Sequence, residues 1–186
     1  IVKQALPYVR LFGDSWPLPL KRAFFEYHAL IRQEARDPGS VPQVLHFDES
    51  QALIVMERLQ PHIILRQQTM EGRKVAGLGK TLGLFAARTA FRGSDLSMTA
   101  GEKKADAALT SRGETMCHGD LHAASIMVTG EQSRIIDPEF AFYGPFGFDI
   151  GMLIGNYLMA YHAMPAHISD VDACLDFQDW ILSVID

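Results

Sequence analysis

Three short stretches carry the residues of this chain that could do chemistry: His118-Gly119-Asp120-Leu121-His122, Ile135-Ile136-Asp137-Pro138-Glu139 and Phe148-Asp149-Ile150-Gly151. Between the first two, residues 125–128 and 134–136 form apolar runs around a turn at Thr129-Gly130-Glu131. That spacing predicts a small β-hairpin with an acid at each mouth. Two acids so placed suit phosphoryl transfer, in which one carboxylate orients and deprotonates an attacking hydroxyl and the other holds a divalent cation on nucleotide phosphates. The tasks need separate groups, because a base must face the acceptor while a hard cation wants oxygen ligands facing the phosphates. A single Asp here would read as a turn or capping residue; the constellation points to chemistry.

The elements that must position these acids can be read outward from them. Residues 1–9 are β-prone and contain Lys3, and a turn-rich loop, Gly13-Asp14-Ser15-Trp16-Pro17, follows. Leu20, Ala23, Phe24, Tyr27, Leu30 and Ile31 recur at helical spacing, with Glu26 off that stripe and by default facing solvent. A strand lysine followed by a glutamate on the next helix is nonetheless the ion pair that kinases use to fix phosphates. Residues 41–47 and 52–56 read as two strands, after which Glu57-Arg58-Leu59 leads to Pro61 as a hinge whose backbone could meet an adenine edge. A helix is expected over 75–91, with Leu78, Leu82, Phe85 and Ala86 on one face, then a loop over 93–104 and a short helix over 105–109. Helical periodicity returns over 148–162 and 171–185.

Composition narrows the class. With 186 residues, 48% hydrophobic and 21% charged, the chain has the make-up of a globular protein rather than a disordered one. Its apolar runs fall short of the ~18 residues that a membrane span needs, and the start, Ile1-Val2-Lys3-Gln4, has no signal pattern, so no membrane partner is expected. A net charge of −5 argues against a nucleic-acid surface. Cys117 and Cys174 make neither a disulfide framework nor a zinc spacing, which suggests a reducing, cytoplasmic setting. His118 and His122 read as structural. Together with Asp120 they raise one rival, the Asp-x-His motif of metallophosphoesterases, which should be followed by a Gly-Asn-His element; here Gly155-Asn156 precedes Tyr157.

The segments HGDLHAASIMV and IDPEFAFYGPFGFDIG, supported upstream by VKQALPYVR and SWPLPLKRAFFEYHALIRQ, resemble the 5-methylthioribose kinases, a family in the aminoglycoside-phosphotransferase and choline-kinase branch of the protein-kinase-like fold. The resemblance covers residues 1 to about 98 and about 114 to 160. It implies an α+β, two-lobed fold: a partial N-lobe over 1–60, with a truncated sheet, and a mainly helical C-lobe over 61–186. It also implies ATP and Mg²⁺, a small-molecule sugar substrate phosphorylated on its 1-hydroxyl in methionine salvage, and allows a homodimer. Carried over by position, Lys3 and Glu26 would form the phosphate-fixing pair, Glu57, Arg58 and Leu59 the adenine hinge, and Asp120 the catalytic and substrate-binding aspartate. Asp137, Pro138 and Glu139 would meet the nucleotide, Asp137, Glu139 and Ser125 the metal, and Asp149 would support the catalytic loop.

Departures from the family are visible. Ser125 stands where the wider kinase pattern has Asn, as methylthioribose kinases also do. No glycine-rich phosphate loop precedes Lys3, the stretch between Ser97 and the catalytic loop is short, and no sugar-gripping arginines precede Asp186. The missing initial Met suggests a piece of a longer protein, and the isolated chain is expected to be nearly inactive. The alternatives are a non-catalytic kinase-like module and a choline- or aminoglycoside-type kinase of the same branch.

Overall fold

Residues alternate in burial along Leu53–Met56, with Ile54 and Met56 inward, and that alternation marks the central strand of the first sheet. The computed structural model describes residues 1–186 apart from Arg10, Phe12, Asp95, Ala100 and 102–113, so the helix expected over 105–109 lies outside the described residues. In chain order the first half gives β1 (Val2–Gln4), β2 (Tyr8–Val9), β3 (Gly13–Pro17), α1 (Arg22–Arg36), β4 (Val44–Asp48) and β5 (Leu53–Met56). β1 and β4 flank β5, both antiparallel, and the register sets Lys3 opposite Ile54. β2 and β3 form a separate two-stranded ribbon. The turn-rich segment expected as a loop is therefore a strand, because a ribbon of two edges needs little β-propensity and tolerates Pro17 at a strand end.

α1 corrects a second expectation. Its inward face is Ala23, Glu26, Ala29, Leu30, Gln33 and Arg36, whereas Leu20 and Ile31 are largely exposed. The helix packs on β4, β5 and α3, and this selects a face that carries three polar groups with it. Glu26 is 2% exposed rather than solvent-facing.

The second half continues with β6 (Ile63–Ile64), α2 (Leu65–Met70), α3 (Leu78–Arg92), β7 (Thr115–Cys117), β8 (Ile126–Val128), β9 (Ser133–Ile135), β10 (Phe142–Gly144), α4 (Gly147–Ala163) and α5 (Val171–Ile185). β8 and β9 are the predicted hairpin, paired Ile126 to Ile135 and Val128 to Ser133, with β6 on its outer side. β7 and β10 pair antiparallel, Cys117 against Phe142, so the chain enters the 118–122 loop beside the strand by which it leaves the 137–141 turn. One apolar cluster includes Leu30 and Ile54 from the first half with Leu65, Phe85, Leu121, Ile135, Phe177 and Ile181 from the second. Cys117 and Cys174 are both free and buried, and burial pushes the Cys117 thiol up to about 12, leaving it a small apolar side chain with little nucleophilic character. Among the described residues, no helix is long and apolar enough to cross a membrane.

Candidate active site

The pairing of β7 with β10 brings the backbones of the two loops into contact. Gly119 has φ +86, and a Cβ there would sit 2.1 Å from the carbonyl oxygen of Phe140, so only glycine fits. Beside it, His118 is fully enclosed; its Nε2 lies 3.0 Å from the Ile136 carbonyl oxygen, and its Nδ1 accepts from the Asp120 N–H at 3.3 Å. One nitrogen accepts, so the other carries the proton and donates to Ile136. Burial lowers its pKa to about 4 and keeps the ring neutral, bridging the Asp120 and Asp137 loops.

Asp120 projects from this frame with its side chain 39% exposed, open to an acceptor. His122 Nε2 lies 3.3 Å from an Asp120 carboxylate oxygen, while its Nδ1 accepts from the Ala124 N–H at 3.1 Å and caps the 3₁₀ turn Ala123–Ser125. The Ser125 hydroxyl, expected at the metal, donates to the Asp120 carbonyl oxygen at 2.7 Å and braces the loop. Asp149 lies in the first turn of α4 rather than at its cap, and its carboxylate accepts the N–H groups of His118 at 2.6 Å and Gly119 at 3.1 Å. Burial raises its pKa against those two bonds. Two turns on, the Asn156 side-chain oxygen accepts from the Ala123 N–H at 3.0 Å, so one helix face grips the loop at both ends. Sequence reading missed Asn156; its spacing of seven from Asp149 was the available signal.

The second acid loop gathers charge. Asp137 adopts φ +67, unusual for a non-glycine residue, and the Pro138 carbonyl oxygen accepts from Ala141 to close the turn behind it. Lys3 Nζ is bonded to Asp137, lies 2.8 Å from Glu26 and stands 3.7 Å from Glu139. The Arg22 Nη1 donates to both Glu139 oxygens at 2.7 Å and its Nη2 to the Leu6 carbonyl at 3.0 Å. Arg22 was also missed, although it stands one helical turn before Glu26 on the same face. Burial pulls the Lys3 pKa down, but the charges of Glu26 and Asp137 and hydrogen bonds to both outweigh it and raise it. Glu26 moves the other way from its ion pair: burial lifts it to about 7, only partly offset by Lys3. Lys3 has several acids around it, whereas Glu26 is buried and has a single, partly exposed cation beside it.

Glu26, Asp137 and Glu139 each offer a carboxylate oxygen, all within 4.8 Å of one another. An all-oxygen, carboxylate-rich donor set fits a hard divalent cation. Next to it a cavity of about 370 Å³ is lined by Ile1, Met56, Glu57, Arg58, Leu59, Met127 and Ile136 together with Lys3, Glu26 and Asp137. The structure thus brings Lys3, Glu26, Asp137 and the Glu57–Leu59 segment to one cleft. A larger hollow of about 580 Å³ between α3, α4 and α5, lined by Leu82, Leu153, Tyr157 and Val184, contains none of these residues.

Known proteins resemble this chain in sequence and in fold. The sequence profile of the phosphotransferase enzyme family matches residues 97–179. The methylthioribose kinase of Escherichia coli O45:K1 is 36% identical over a 244-residue alignment covering all of this chain and 58% of that protein. Methylthioribose kinase 2 of Oryza sativa subsp. japonica is 34% identical, covering all of this chain and 57% of that one, and the Geobacillus sp. (strain WCH70) enzyme is 37% identical over 86% of this chain and 54% of its own. The chain therefore spans a little over half the length of these relatives, and an alignment longer than its 186 residues means that the relatives carry residues opposite gaps in it. In fold it is similar to a choline/ethanolamine kinase family protein from Mesorhizobium loti, with TM-score 0.52 at 15% identity over 90% of this chain and 70% of the other. Along its whole length the chain is thus similar in sequence to the methylthioribose kinases, and in fold to a choline/ethanolamine kinase family protein.

Proposed function

We propose that the protein carrying this chain transfers the γ-phosphoryl group of ATP to the 1-hydroxyl of 5-methylthioribose, a step of methionine salvage. The observation that carries the proposal is the convergence of Lys3, Glu26, Asp137 and Glu139 beside the 370 Å³ cleft, with Asp120 held open on the loop joined to theirs by His118. The N-terminal part over 1–60 would cover the nucleotide, and the remainder would present the acceptor. In the cleft, backbone of the Glu57–Leu59 segment meets the adenine, and Lys3, steadied by Glu26, contacts the phosphates. Asp137 and Glu139 would hold Mg²⁺, which when bound neutralises charge on the transferring phosphoryl group. Asp120 accepts the proton of the attacking hydroxyl and keeps that oxygen in line. His118 and Asp149 hold the loop so that no reorganisation is needed at the moment of transfer. Neither thiol takes part, because both are buried.

The test is a coupled ADP-release assay on the product of the reading frame that carries these residues, with methylthioribose, choline and kanamycin as acceptors. Methylthioribose should be turned over at the order of 1–100 s⁻¹ usual for kinases. Turnover of choline or kanamycin without methylthioribose overturns the substrate assignment. Failure to bind Mg·ATP overturns the kinase reading as a whole.

A further inference from the structure

Glu139 is the acid of the cluster that lies farthest from Lys3. It stands 3.7 Å from the Lys3 ammonium and within 4.8 Å of two other carboxylates, so it is pulled by one neighbour and repelled by two. Left to itself it would close on Lys3 and compete with Glu26 and Asp137 for that cation. What prevents this is Arg22, whose side chain is 11% exposed against 15% for Glu139. The Nη1 bonds both carboxylate oxygens and the Nη2 is tied to the Leu6 carbonyl, which anchors the guanidinium to the backbone between β1 and β2. A carboxylate oxygen has two lone-pair directions, so a guanidinium that takes one on each oxygen leaves one on each for another partner.

We infer that Arg22 is a positioning residue that acts through Glu139, holding its carboxylate so that it and Asp137 can share one divalent cation. The inference rests on the kinase reading above. Two effects of opposite sign compete. A fixed positive charge behind Glu139 repels an incoming cation, while a carboxylate held in place binds it with less loss of freedom. The fork anchored at Leu6 makes the second effect dominant. Residues behind a metal ligand that are held by such bonds ordinarily contribute about 10–100-fold in metal affinity.

Mn²⁺ serves as the probe, its binding followed by electron paramagnetic resonance in the presence of ADP, with ADP affinity in EDTA measured alongside. Arg22→Gln should weaken Mn²⁺ about tenfold while leaving ADP affinity in EDTA unchanged. Arg22→Lys should lie between the two, since an ammonium keeps the charge but cannot reach Leu6 and both oxygens at once. On a Glu139→Gln background Arg22→Gln should add nothing. Mn²⁺ binding by Arg22→Gln as tight as or tighter than wild type overturns the inference, because charge relief then dominates. So does an Arg22→Gln effect that persists in full without Glu139, or a loss of ADP binding in EDTA, since either shows Arg22 supporting the fold rather than the acid. If the wild-type protein binds Mn²⁺·ADP not at all, the kinase reading beneath the inference falls with it.

Discussion

Asp120 and Asp137 lie on loops joined by a shared histidine but stand in different company, and their substitutions should separate accordingly. Asp120→Asn removes the base while keeping the shape, and should lower kcat roughly 10²–10⁴-fold with little change in Mg·ATP affinity. Asp137→Asn should weaken cation binding, because a neutral amide is a poorer ligand for a hard ion, and raising Mg²⁺ should partly restore it. A Mg²⁺ titration of kcat decides; rescue of Asp120→Asn and not of Asp137→Asn would invert the assignment. His118 provides a test without turnover. Its folded pKa of about 4 lies below the ordinary 6.5, so as pH falls through that window the unfolded chain gains a proton that the folded chain refuses. Stability is therefore lost on the acid side, by up to about 3 kcal/mol at pH 4. Nitrogen-15 NMR at pH ~5.5 should find His118 neutral with Nε2 protonated; a charged His118 at that pH refutes the bridging role.

At the scale of elements, α4 and the Gly119 contact decide whether the loop is held. Asp149→Asn leaves one acceptor facing two N–H groups, and should cost about 1.5–3 kcal/mol, seen as a lower melting temperature together with lower kcat. Gly119→Ala should be worse, at least about 3 kcal/mol, because the new methyl meets the Phe140 carbonyl at a positive φ. An Ala variant with a wild-type urea midpoint would refute the close approach. This region was largely legible in the sequence: the β8–β9 hairpin, α3, α4 and α5 follow their periodicities to within a few residues. What stayed hidden has a common cause. Apolar spacing finds Ala23 and Leu30 on the buried face of α1 but not Glu26 and Arg36, whose partners Lys3, Met98 and Met116 lie far away in the chain. Likewise β3 was disguised by turn-favouring residues, and β10, which nothing local announced, exists because β7 lies beside it. Arg22 and Asn156 were readable as same-face neighbours of Glu26 and Asp149, but what they grip is set by tertiary packing.

The whole molecule is coupled through the cleft, which is lined by Ile1, Lys3 and Glu26 on one side and Met127, Ile136 and Asp137 on the other. A ligand seated there should stabilise the fold as a unit. Mg·ADP at about 100 times its Kd contributes about 2.7 kcal/mol, or roughly 5–10 °C in melting temperature for a chain of this size. Lys3→Ala should abolish most of that shift. A wild-type shift that Lys3→Ala retains in full would place the nucleotide elsewhere.

The apolar cluster that runs from Ala23 in α1 to Ile181 in α5 has a practical corollary. A chain cut at the exposed Gln60–Pro61 step leaves both pieces with raw apolar faces: Leu30, Ile54 and Met56 on one, Leu65 and Phe85 on the other. Such halves are poor candidates for separate expression and good ones for split-protein complementation. Produced together they should find each other and restore the cleft; produced alone, each should precipitate.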